Sequence, residues 1–420
     1  MASWYVLEPS VMSTRAVNRL ESVSTRKSKA PAHKSQLKLS IGDPTHDGNL
    51  VAPTVVVDAF VRCVEGNQHN KYPPVAGLPE ARQAVAEYWG KNFAEQQAAH
   101  CKAENVLISC GVSHALVMAL TALCDEGDNI LVPMPCFPFY DFMSDIHAVE
   151  ARHYRCKEDG NWEIDFDHLR SLVDGKTKAI LVNNPSNPSG SNFSRQHIAE
   201  LIRVCEELRL PLISDEVYAG LVFSGEAFTS VAAFDTHVPR FILSGLSKVF
   251  MIPGWRLGWV LLMDTHGYAK SVVRGMLNLC SITLGPCALV QGALPAILSQ
   301  TPESYFARNI EELRENAICL ADAIQHSPGL SCTVPQGSMF IMVKVNTDLF
   351  EDIKDDFSFY EKLEDEENVQ VVPGEFFHMH GYFRVVVSRP KKVVVEVAAR
   401  IHNFCERHKK RDGAEGRSSK

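Results

Sequence analysis

The chain alternates short, mostly apolar runs with longer stretches in which apolar residues recur every three or four positions. Residues 106–109, 129–132, 179–182, 212–214, 241–244 and 259–263 are runs of strand length, the pattern of strands covered on both faces. Amphipathic stretches separate several of them. Ile198, Leu201, Ile202, Cys205 and Leu208 share one helical face, as do Val85, Tyr88, Trp89 and Phe93. Strand, helix and strand in repetition predict an α/β domain built on a largely parallel sheet. After about residue 320 the rhythm changes. Residues 338–345, 369–372 and 383–387 read as strands of a second sheet, and the stretch from Pro390, with Val394, Val397, Ile401 and Phe404, as a closing helix. These predict a smaller α+β domain, joined by the N-terminal region. The expected divisions are a flexible arm over 1–36, an N-terminal part of the small domain over 37–72, a large domain over 73–320, the small domain over 321–408 and a disordered tail over 409–420.

Composition narrows the function classes. With 420 residues, 45% apolar and 22% charged, the chain has the profile of a soluble globular protein. A net charge of −8 argues against nucleic acid as a partner. No apolar run reaches the roughly 18 residues of a spanning helix, so no membrane association is expected. The 12 cysteines include no C-x-x-C pair, the nearest two being Cys280 and Cys287. Such scattered thiols fit a reducing compartment, and a cytoplasmic protein is expected. The first forty residues hold Arg15, Arg19, Arg26, Lys27 and Lys29 with only Glu8 and Glu21 as acids. That resembles a mitochondrial transit peptide weakly; a flexible basic arm is the plainer reading.

Ligands of an open α/β sheet sit beyond the carboxyl ends of its strands, so the residues that follow each run carry the chemistry. After 106–109 comes Cys110-Gly-Val-Ser113-His114-Ala115, opening an apolar helix. A glycine there allows close approach of backbone, and the free N–H groups of a helix start favour an anion such as phosphate; Ser113 as a simple N-cap is the bland alternative. After 179–182 comes Asn183-Asn-Pro-Ser-Asn187-Pro-Ser-Gly190, a turn that would hold an amide rigidly. After 212–214 comes Asp215-Glu-Val-Tyr218, where the acid either caps a helix or faces the site. After 241–244 comes Lys248, then Pro253-Gly-Trp-Arg256-Leu-Gly-Trp259. A lysine and an arginine around a Pro-Gly turn look like a nucleophile and a phosphate clamp. His378-Met-His380 hints at a metal, but no third ligand lies near in sequence and no metal is expected.

Each signal alone is weak. In order and spacing together, Asn187, Asp215, Tyr218, Lys248 and Arg256 resemble the cofactor motifs of the fold-type-I pyridoxal-phosphate-dependent aminotransferases. The resemblance spans almost the whole chain, from Leu39-Ser-Ile-Gly-Asp-Pro44 to the last helix. It implies a large domain with a mostly parallel seven-stranded sheet flanked by helices, and pyridoxal 5'-phosphate held by Lys248 as a Schiff base, the same amine later shuttling a proton. It further implies that Asp215 pairs with the pyridine nitrogen and that Asn187 and Tyr218 bond the phenolic oxygen. Arg256, Ser247 and the amides of Val112, Ser113 and His114 would hold the phosphate, and Phe137 would stack on the ring. Tyr72 would reach the phosphate of a second subunit, implying a homodimer with shared sites. Arg384 would clamp the substrate's α-carboxylate and Gly42 would bring backbone close to the substrate. One departure stands out: many relatives carry serine where this chain has Gly245, leaving Ser247 or Ser244 to substitute. Arg389, five residues past Arg384, could meet a second carboxylate, although a surface arginine is the plainer reading.

Three stretches, 183–191, 249–259 and 284–294, resemble the members that act on tyrosine. The implied reaction passes the amino group of tyrosine, or another aromatic or hydrophobic amino acid, to a 2-oxo acid in a ping-pong cycle. A transaminase of alanine or kynurenine type and a carbon–sulfur lyase on the same fold are the alternatives. A non-catalytic binding module is disfavoured, because Lys248, Asp215 and Arg384 are all present.

Overall fold

The computed structural model of the chain describes residues 7–91 and 93–410. In chain order the strands are β1 (Leu37–Lys38), β2 (Val106–Ser109), β3 (Asn129–Met134), β4 (Glu150–Lys157), β5 (Glu163–Ile164), β6 (Thr177–Asn183) and β7 (Leu212–Asp215). They continue with β8 (Arg240–Gly245), β9 (Gly258–Met263), β10 (Leu330–Cys332), β11 (Phe340–Val345), β12 (Val369–Gln370), β13 (Val372–Pro373) and β14 (Tyr382–Val386).

The large sheet has the order β2-β9-β8-β7-β6-β3-β4-β5. Strands β8, β7, β6, β3 and β4 pair in parallel, while β9 runs against both of its neighbours. The expectation of seven strands is corrected to eight: the added one is the two-residue β5, antiparallel to β4. Neither β4 nor β5 carries an apolar run. β4 reads Glu-Ala-Arg-His-Tyr-Arg-Cys-Lys and buries only Tyr154 fully, because β5 pairs with only its last two residues and leaves most of its outer edge near water. The central strands β7 and β8, and β2 at the opposite end of the sheet, bury every residue, which is why they read as apolar runs.

The small domain carries an antiparallel sheet, β10-β11-β14-β13, and a parallel pair β1-β12 that ties the N-terminal region to it. The closing helix Lys391–His408 buries Val394, Val397, Ile401 and Phe404. The described residues of the arm are mostly exposed, Val23 alone being buried, and are tied to the rest of the chain by polar contacts. They form the helices Val11–Thr14 and Arg19–Thr25. Arg26 pairs with Glu364 at 2.8 Å and Asp365 at 3.0 Å, Gln370 donates to the Val23 carbonyl, and Arg15 meets Glu126 of the large domain. Charge–charge contacts that join distant segments have no sequence period, so composition alone read as looseness. Of the expected tail, residues 411–420 lie outside the described residues.

Candidate active site

Strands β6, β7 and β8 end side by side, and beyond their carboxyl ends lies a cavity of about 480 Å³. Its floor comes from those strand ends, and its other wall from residues 18–24, 40–43, Phe340 and Arg384.

Asp215, the last residue of β7, is buried. Its Oδ2 accepts from the Tyr140 hydroxyl at 2.8 Å and its Oδ1 from the Val217 amide at 3.2 Å. Burial pushes its carboxyl up to about 6, even with those two donors. A turn, not a helix, follows the strand, so the acid faces the cavity rather than capping. Tyr218, on that turn, is buried, and burial raises its hydroxyl well above the usual range.

Lys248 stands across the cavity, its Nζ donating to the Gly42 carbonyl at 2.6 Å. Burial lowers its amine to about 8; Asp43 opposes the shift, and Arg384 and Arg256 add to it. Gly42 lies against Phe340, where a Cβ would sit 3.3 Å from the ring.

An anion cradle forms at the start of helix Val112–Leu123. Gly111, at φ +79°, is its N-cap, so Ser113 lies in the first turn. The guanidinium of Arg256 rests on Gly111, where a Cβ would meet its Nη2 at 2.6 Å. Val112, Ser113, Ser247 and Arg256 line the cavity. His114 does not: its amide donates to the Gly111 carbonyl and its ring Nδ1 accepts from the Cys110 amide. With its amide and ring so engaged, His114 closes the turn beneath the cradle. Gly245 is explained by packing. A Cβ there would lie 2.7 Å from the Leu257 carbonyl and 2.8 Å from the Gly258 Cα, so a serine has no room. Ser244 donates to the Glu216 carbonyl, which leaves Ser247, of those two serines, lining the cavity.

Arg384 is buried between the rings of Phe340 and Phe377, at 4.5 and 5.0 Å. Its Nη1 donates to Asn187 Oδ1 at 2.9 Å and its Nη2 to the Ser40 carbonyl at 2.8 Å, while Nε has no partner. Burial lowers it to about 10. Asn187 is fixed by a bond from its own amide to Asn183 Oδ1, and its side chain faces the Tyr218 hydroxyl. Phe137 lines the cavity with its ring edge-on to Tyr140, 5.8 Å between centroids.

Two expectations fare differently. Arg389 is buried, not on the surface: it donates to the carbonyls of Lys38, Ile41 and Asp43 and lies 3.5 Å from Asp47. Tyr72 is outside the cavity and 81% exposed. Sequence reasoning missed Tyr140, although it stands three residues past Phe137, and it missed the roof formed by Asn18, Leu20, Glu21, Val23 and Ser24. Nothing local marks that roof.

An acid, an amine and an anion cradle at the carboxyl edge of a parallel sheet, facing an arginine from a second domain, define a cofactor-dependent α/β transferase. Residues 34–401 match the family described as aminotransferase class I and II, and the chain belongs to that family, whose members work with pyridoxal phosphate. Among curated relatives, tyrosine aminotransferase of Mus musculus is 36% identical over 414 residues, covering 97% of this chain and 89% of the relative. That of Dictyostelium discoideum is also 36% identical, covering 90% of this chain and 91% of the relative. Among solved structures, tyrosine aminotransferase from Leishmania infantum superposes with a TM-score of 0.95 at 44% identity, covering 97% of this chain and 100% of that one. Alanine aminotransferase from Pyrococcus furiosus gives 0.88 at 28%, covering 96% and 100%.

Proposed function

We propose that the chain is a pyridoxal-phosphate-dependent transaminase that takes the amino group of tyrosine and related aromatic amino acids and gives it to a 2-oxo acid. The observation that carries this is the setting of Lys248: one amine held near 8, in one cavity with a buried acid, an anion cradle and a buried arginine with an unpartnered Nε.

The residues fit the cofactor. A carboxylate buried with only two neutral donors calls for a cation, which a protonated pyridine nitrogen supplies to Asp215. The Val112 and Ser113 amides, Ser247 and Arg256 form a site for a dianionic phosphate. When bound, pyridoxal phosphate supplies a carbon for amino exchange and a sink for the electrons released at the substrate's Cα. Asp215 would keep the ring nitrogen charged, with Tyr140 holding the carboxylate in place. Phe137 would pack against the cofactor ring. Asn187 and Tyr218 would supply hydrogen bonds to its phenolic oxygen. Arg384 clamps the α-carboxylate and orients Cα. Lys248 Nζ, whose lowered pKa makes a neutral fraction available close to physiological pH, takes the proton from Cα and returns it on the product side. The roof supplies apolar Leu20 and Val23 beside polar Asn18 and Ser24, a mixture suited to a hydroxylated ring.

The test is a single turnover. Holoenzyme given tyrosine without acceptor should form one equivalent of 4-hydroxyphenylpyruvate per site and stop, resuming when a 2-oxo acid is added. Continuous release of ammonia without acceptor would instead mean a lyase.

The active unit in this reading is a homodimer. Support comes from Tyr72, 81% exposed, and from Ile282 and Leu284, 77% and 52% exposed, on neighbouring loops joined where Gly285 meets Pro73. Exposed apolar residues grouped in this way suit a subunit interface. A fully active monomer by light scattering overturns it. A cytoplasmic location is supported by the free state of all twelve thiols.

A further inference from the structure

Away from the cofactor cavity, four donor atoms from three parts of the large domain and one turn of the small domain converge. Asp141, in helix Phe139–Ile146, accepts from His153 Nε2 of β4 on its Oδ1 and from His378 Nε2 on its Oδ2, both at 2.8 Å. The Sγ of Cys136, just past β3, lies 3.7 Å from the same Oδ2. The two imidazole centroids are 3.9 Å apart, and the four donor atoms all fall within 4.8 Å of one another.

We propose that these four groups are a zinc site that staples the small domain to the large one. One sulfur, two imidazole nitrogens and a carboxylate oxygen form a borderline-soft set, which suits Zn²⁺ and not Mg²⁺ or Ca²⁺. A tetrahedron with ordinary zinc–ligand lengths has edges of about 3.3–3.7 Å, so the donors close on the metal with small side-chain rotations. The charges balance. Binding releases the Cys136 proton to solvent, and the thiolate and the Asp141 carboxylate neutralise the dication, so no net charge is added to a partly buried seam. Arg19 and Asp145, one of each sign, also interact electrostatically with members of this group. A plain ion pair would need one histidine. Here two imidazoles, tilted by 37° with centroids 3.9 Å apart, and a buried thiol meet on a single carboxylate.

The sequence motif His378-Met-His380 contributes only its first residue. His380 is exposed and outside the group, and the other ligands lie more than two hundred residues upstream. The site also touches the catalytic region: Cys136 precedes Phe137, and Asp141 follows Tyr140, the donor to Asp215. A metal here would hold that stretch and the turn after β13 together.

The test does not depend on activity and so separates from the transaminase reading. Chelator-treated holoenzyme is titrated with Zn²⁺ against a chromophoric competitor, and with Co²⁺ while recording d–d absorption in the red, clear of the cofactor bands. The expected result is one tight equivalent per chain, intense tetrahedral cobalt bands and a raised Tm that excess chelator reverses. Cys136→Ser and His378→Gln should each weaken binding by more than the roughly 10–100-fold that loss of an outer-shell partner costs, and Cys136→Ser should also remove the sulfur-to-cobalt charge-transfer band. His380→Ala and His237→Ala, the latter breaking the exposed His237–His266 pair, should leave binding unchanged. Circular dichroism checks that each variant folds, and Asp141→Asn offers a third ligand deletion of similar shape. No tight equivalent in the wild type, or one that survives the ligand variants, overturns the proposal and leaves a His–Asp–His hydrogen-bond bridge.

Discussion

The two walls of the active-site cavity are built in different ways. The large-domain wall sets its groups at the ends of strands buried on both faces, and its charged groups are held away from their ordinary ionisation: Asp215 up to about 6 and Lys248 down to about 8. The small-domain wall is a set of backbone carbonyls and aromatic rings gathered around two arginines. Arg384 keeps one nitrogen free and faces the cavity, while Arg389, five residues on, spends its donors on the carbonyls of Lys38, Ile41 and Asp43. One wall does the proton and electron chemistry; the other recognises a carboxylate and is itself held in shape by a buried cation. Two arginines that look alike in sequence thus serve opposite ends, one for the ligand and one for the chain.

Removing the amine from the chemical wall should have the largest effect. Lys248→Ala is expected to lower turnover by more than roughly 10⁴-fold and to leave the cofactor only reversibly bound, checked by dialysis followed by the visible spectrum. Retained turnover would sink the assignment of both roles to this residue.

Asp215→Asn should lower kcat by roughly 10²–10³-fold while stabilising the cofactor-free protein. The folded carboxyl titrates near 6 against an ordinary value of 3.8. Between those values the folded state holds more protons than the unfolded one, so stability falls as pH rises through that window and stays lower above it. The wild type should therefore be less stable than the variant by on the order of 3 kcal/mol at pH 8, with the gap closing toward pH 4. Equal melting temperatures for the two apo proteins at pH 8 would show that the acid is not held uncomfortably.

The two arginines sharpen the contrast further. Arg384→Ala should lower kcat/KM for every amino donor alike by about 2–5 kcal/mol with a modest change in Tm. Arg389→Ala should do the reverse, since three carbonyls lose their donor at roughly 1 kcal/mol or more each. A defect of Arg384→Ala confined to aromatic donors would show that it meets the side chain rather than the α-carboxylate.

Much of the chemical wall was legible in the sequence, because a strand buried on both faces must be an apolar run and its carboxyl end is where a ligand sits. Asn187, Asp215, Tyr218, Lys248 and Arg256 follow such runs by a few residues, so local order carries them to one place. Strand β4, largely uncovered along its outer side, and the edge strand β5 were not legible, since half-exposed backbone imposes no apolar pattern. Neither was the partner that fixes Asp215: Tyr140 is 75 residues away, and only the adjacency of β3, β6 and β7 in the sheet brings it there.

What the chain determined by itself is the class of fold and the residues of the strand ends, through the period of its apolar positions. The tertiary structure alone decided that His114 lies outside the cavity lining, that Gly245 has no room for a side chain, that Arg389 is buried and that the N-terminal segment roofs the cavity. Each of these depends on distances between residues remote in sequence, and hydrophobic periodicity, which reports burial one element at a time, carries no information about them.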